Sequence, residues 1–115
     1  MKPDELLGLY TDDSFIKLLA EPLSHKKTDE PQRLQIKGLA GSLDAVLASA
    51  IYKSVGGNHL FISTDRDEAA YFFNDLQHLL SRDVLLFPMS YKKPYQYEEI
   101  ENANVLMRAE VLNKL

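Results

Sequence analysis

The chain has 115 residues, a formal charge of −4, and 45% apolar against 26% charged residues, the balance of one ordinary folded domain, which excludes disordered, collagen-like and low-complexity classes. The acidic balance excludes a surface that binds nucleic acid by bulk electrostatics, and the absence of cysteine excludes disulfides and cysteine-ligated metals. No apolar run reaches the roughly 18 residues of a membrane span, and the opening MKPDELLGLYTDD lacks the hydrophobic stretch of a secretory signal; a cytoplasmic protein with no membrane partner is expected.

In chain order, MKPDELLGLY and DDSFIKLLAEPL are predicted to be short amphipathic helices. Leu6, Leu7 and Tyr10 form the apolar side of the first, and Phe15, Leu18 and Leu19 that of the second. Asp12 or Asp13 caps the second helix and Pro22 stops it near its end. Ser24 to Gln32, SHKKTDEPQ, is polar and proline-bearing, so residues 1–33 read as a helical segment and its surface linker.

From Leu34 the pattern alternates. RLQIKG, HLFIST and DVLLFP are predicted strands, separated by the helices SLDAVLASAIYKSV and RDEAAYFFNDLQHLLS. Parallel strands need a crossover and helices supply it, so an α/β fold is expected for residues 34–115: a three-layer parallel sheet with flanking helices. The inward helix faces are Leu43, Val46, Leu47, Ala50 and Ile51, then Ala69, Phe72, Phe73, Leu76, Leu79 and Leu80. Gly56-Gly57 ends the first of these helices, and Thr64 or Asp65 caps the second. The last helix, IENANVLMRAEVLNKL, presents Ile100, Val105, Leu106, Ala109 and either Val111 or Leu112. Three strands are few for such a sheet, so a truncated domain that continues in a longer parent is expected.

The turn before the third helix resembles a phosphate-binding loop and departs from it at the decisive places. Such a loop needs backbone amides around the phosphates, a lysine for the outer phosphates, and a hydroxyl for magnesium. Gly38, Gly41 and Ser42 keep the tight turn, while Leu43, Asp44 and Ala45 replace Gly-Lys-Ser/Thr. A carboxylate about 4 Å from a phosphate charge costs about 4 kcal/mol at an effective dielectric of about 20, where lysine gains a similar amount. Asp44 instead favours the positive end of its own helix. A glycine turn with a serine cap is a common helix start, so a structural turn and a nucleotide site that has lost its function both fit these residues.

The strand LQIKGLAGS, the unit HLFISTDRDEAAYFFNDLQHLL, and VLLFPMSYKKPYQYEEIENANVLMRAEVLNKL together resemble the N-terminal region of the bacterial transcription-repair coupling factors (Mfd). Phe87-Pro88, Pro94-Tyr95 and the helix containing Arg108 carry most of the likeness. Tyr91-Lys92-Lys93 and QYEEIENA depart from the family pattern. That region is similar to the first domain of the excision-repair protein UvrB, a P-loop NTPase fold in which the same loop is an intact ATP site. The resemblance implies a partial UvrB-like domain with a degenerate loop, in a parent that is an ATP-dependent, helicase-like DNA translocase. The parent displaces stalled RNA polymerase at DNA damage and recruits UvrA through an adjacent inserted domain. ATP and magnesium belong to the parent's translocase module, and none is implied for these residues, which serve as a scaffold for the other domains.

No catalytic constellation accompanies the loop. Ser42 lacks a G-x-S-x-G elbow, and His25, His59 and His78 lack metal-ligand spacing. Glu98, Glu99 and Glu101 read as helix-dipole partners. SYKKPYQY interleaves Tyr91, Lys92, Lys93 and Tyr95, a composition suited to a DNA backbone and its bases, or to packing against another domain. Two rivals to the scaffold therefore stand: a nucleotide-binding half-site of an NTPase, and a DNA-contacting module.

Overall fold

The computed structural model describes residues 1–24, 30–89 and 102–115. Five helices appear in order: α1 (Pro3–Thr11), α2 (Ser14–Ser24), α3 (Leu43–Val55), α4 (Arg66–Leu80) and α5 (Asn102–Lys114). Their ends follow from local chemistry. Pro3 opens α1, where its missing amide costs nothing. The Asp13 carboxylate accepts the Phe15 amide at 2.8 Å at the start of α2. Pro22 lies in the last turn of α2, which ends two residues later. Asp65 caps α4 by accepting the Glu68 amide at 2.8 Å, while Glu68 reaches back to the Thr64 amide at 3.1 Å.

The expected parallel sheet is absent. Among the described residues there is no strand, and no backbone hydrogen bond joins residues 33–38, 59–64 and 83–88 to one another. The architecture described is all-helical, with these three runs as extended connections, so the α/β three-layer assignment and the UvrB-like sheet are corrected. A short apolar run between helices records that side chains face the protein; it does not establish that neighbouring amides find a ladder partner. Here the alternate residues pack on helices instead. His59 meets the edge of Tyr52 with ring centroids 5.1 Å apart, and Phe61 meets Phe72 at 5.2 Å. Leu60 and Ile62 point outward, 86% and 89% exposed.

α3 is the centre of the molecule, with α1, α2 and α4 packed around it. Its buried set is therefore wider than one amphipathic stripe: Ala45, Leu47, Ser49 and Ala50. Leu47 and Ala50 join Ile16 in the core cluster, with Tyr10, Leu19, Ile36 and Ile51 packed against it. Ala45, Ser49 and Lys53 share a stripe at i, i+4 and i+8, and Lys53 pairs with Asp4 of α1, so this stripe faces α1. Small residues there let α1 approach closely, and Leu7 is completely buried. The Lys53 ammonium, through its hydrogen bond and its charge, lowers the Asp4 carboxyl from its ordinary value. Because the folded value is the depressed one, the pair's small contribution is present above the unfolded pKa and disappears as pH falls through the folded one.

Two expected helix faces are turned. In α2, Ile16 is buried while Phe15 and Leu18 are exposed; four apolar residues between 15 and 19 allow two stripes about 100° apart, and contact with α3 selects one. In α5, Val105, Leu106 and Leu112 are exposed and Val111 faces inward with Met107. Ile100 lies outside the described residues. The expected faces of α1 and α4 are inward, with Leu76 fully in the core.

Ser49 is completely buried and its hydroxyl has no hydrogen-bond partner among the described residues. An unsatisfied buried hydroxyl costs about 1–3 kcal/mol. Ser49→Ala, which removes that hydroxyl and keeps the close approach of α1, is expected to raise stability by about 1 kcal/mol, read from the denaturant midpoint.

Candidate functional site

The loop leading into α3 turns on two glycines. Gly38 and Gly41 have φ of +83° and +59°, a region that side-chain-bearing residues avoid. A Cβ on either glycine meets nothing within 4 Å, so the requirement lies in the backbone and not in crowding.

The helix start beyond it is closed by the chain's own groups. The Leu43 amide donates to the Ala40 carbonyl at 3.3 Å, and the Ala45 amide donates to the Asp44 carboxylate at 2.7 Å. Ser42 occupies the cap position, but its side chain makes no capping bond, with φ and ψ of −80° and 13°. In place of the capping expected from Ser42, the Asp44 carboxylate, two residues later, takes one first-turn amide. A negative carboxylate at the first turn of a helix is favoured by the macrodipole, and here it takes an amide that an anion would need.

The three decisive positions divide by burial. Leu43 is half-buried, Asp44 is exposed, and Ala45 is completely buried. A hydroxyl at position 45 would enter the contact with α1, where it could not reach a metal ion in solvent. The spacing of Ala45 and Ser49 carries that signal in the sequence, as a small-residue stripe on a helix. Two hollows, of about 190 and about 280 Å³, contain no residue from 38 to 45 in their walls.

One constellation was not anticipated from the sequence. Tyr52, His59, Phe61 and Phe72 form a run of ring contacts from α3 to α4. Arg82 donates to the Tyr52 hydroxyl at 2.7 Å and lies 5.9 Å from its ring centroid. Lys53 and Arg82 both line the larger hollow, at the ends of α3 and α4, where cations complement the exposed carbonyls of helix C-termini. The period-two placement of His59 and Phe61 was the available signal.

Among the described residues no group of three His, Asp or Glu side chains is placed to hold a metal ion. His59 bonds the Gly56 carbonyl and His78 the Asn74 carbonyl. Tyr91, Lys92, Lys93 and Tyr95, the DNA or interdomain candidates, lie outside the described residues, as do His25, Glu98, Glu99 and Glu101. No described helix is long and apolar enough to cross a membrane. The chain matches no family model, no curated protein and no solved structure.

Proposed function

We propose that this chain is a non-catalytic, cytoplasmic scaffold segment of a bacterial transcription-repair coupling factor. The observation that carries the non-catalytic part is the Asp44 carboxylate on the Ala45 amide, with the Ala45 side chain buried behind it. The loop then offers neither a lysine to outer phosphates nor a hydroxyl to magnesium. The family assignment rests on the likeness of residues 34–115, above all Phe87-Pro88, Pro94-Tyr95 and the helix with Arg108.

The partners in this reading are the remaining domains of the parent, and UvrA through the adjacent inserted domain. RNA polymerase and DNA are engaged by the parent, whose translocase module uses ATP and magnesium. The half-site rival requires that the loop bind nucleotide. Thermal melting with and without ATP and magnesium separates the two. A ligand held at a hundred times its Kd stabilises by about 2.7 kcal/mol, several degrees in a chain of this size. An unchanged midpoint is expected; a rise that needs both ATP and magnesium overturns the proposal in favour of the half-site.

A further inference from the structure

The geometry points to α5 as a detachable strap, seated on the body by a few half-exposed contacts and able to leave it while the α1–α4 core stays folded. Among the described residues α5 packs closely on no other helix. It meets the extended run 83–88 instead, through the Arg108 guanidinium 4.8 Å from the Phe87 ring centroid and Lys114 at 3.8 Å from Asp83. Beneath it lies the hollow of about 190 Å³, walled by Phe73, Val84, Leu86, Met107 and Val111 among others. No residue of α5 whose burial is described is fully buried.

Its sequence does not bind it to this seat. Met107 and Val111 turn inward while Val105, Leu106 and Leu112 stay in water, so apolar residues lie on both sides and neither orientation is decisively favoured by burial. A helix of 13 residues is marginal on its own, since helices shorter than about 12–15 residues gain most of their stability from packing. Few buried contacts and exposed ion pairs are the marks of a unit that opens before the rest. Release uncovers Phe73, Val84 and Leu86, an apolar surface that the strap otherwise covers. This inference does not depend on the coupling-factor reading.

Amide hydrogen exchange on the unmodified protein tests it. The amides of residues 105–114 are expected to exchange at least about tenfold faster than those of residues 47–54 in α3, with little dependence on low denaturant. Arg108→Ala is expected to speed exchange in α5 a further twofold to fivefold or about that, the worth of one partly exposed cation–π contact, and to leave α3 unchanged. Trypsin provides a second reading, with early cleavage after Arg108 and late cleavage after Lys53. Equal exchange in α5 and α3, an Arg108→Ala effect shared by both helices, or cleavage at both sites together overturns the proposal.

Discussion

Leu7→Ala is expected to lower the melting midpoint by about 10 °C or more, because it opens a cavity where α1 packs on its neighbouring helices. Leu7 is completely buried, and the buried apolar set among the described residues is small: Leu7, Ile16, Ala45, Leu47, Ala50 and Leu76. Truncating a buried leucine costs about 2–5 kcal/mol, and each kcal/mol is worth about 4–8 °C in a domain near this size. Leu9 is the control. On the same helix but 64% exposed, its truncation to alanine is expected to change stability by less than about 0.5 kcal/mol. Equal losses for the two variants, measured by thermal melting, would show that α1 does not pack as described.

Gly56→Ala is expected to cost about 1–3 kcal/mol with no steric clash to explain it. Gly56 ends α3 with φ of 68° and ψ of −167°, a conformation that essentially only glycine adopts, and a Cβ there meets nothing within 4 Å. Gly8 supplies the opposite case in the same molecule. It sits inside α1, has no positive φ, and its added Cβ also meets nothing within 4 Å. Gly8→Ala is therefore expected to stabilise by about 0.4–1 kcal/mol, through a less flexible unfolded chain and a better helix former. Denaturant midpoints of opposite sign for the two variants identify backbone conformation as the cause. A neutral Gly56→Ala would mean that the α3 end is not held in this conformation.

The helices were legible in the sequence because their signals are local. Apolar spacing, a cap at Asp12 or Asp13 and at Thr64 or Asp65, and the Gly56-Gly57 stop all act within a turn or two, and the five helices of the described residues lie within about two residues of the stretches expected. The sheet was misread because pairing is not local. HLFIST and DVLLFP are short apolar runs of the kind buried strands use, yet Phe61 rests on Phe72 and Phe87 under Arg108, so their side chains are spent on helix contacts. Helix faces were legible only where a single stripe existed. α4 has one, whereas the run from Phe15 to Leu19 in α2 and the apolar residues on both sides of α5 left the choice to tertiary contacts.

At the loop, the loss of lysine was legible at Asp44 by charge alone. The hydrogen bond from the Ala45 amide to that carboxylate was not, because it depends on the rotamer Asp44 takes, and the burial of Ala45 was not, because it depends on how the other helices pack on α3. The Tyr52–His59–Phe61–Phe72 contacts depend in the same way on a turn at Gly56-Gly57 that folds the 59–64 run back over two helices.

The loop's loss of phosphate binding is tested most directly by titrating the isotope-labelled protein with magnesium and ATP while following the backbone amide resonances of Gly38 to Val46. Unmoved resonances at millimolar ATP are predicted, since Asp44 holds the Ala45 amide and repels the incoming charge. Saturable shifts centred on Gly41, Ser42 and Ala45, abolished when magnesium is removed, would contradict it.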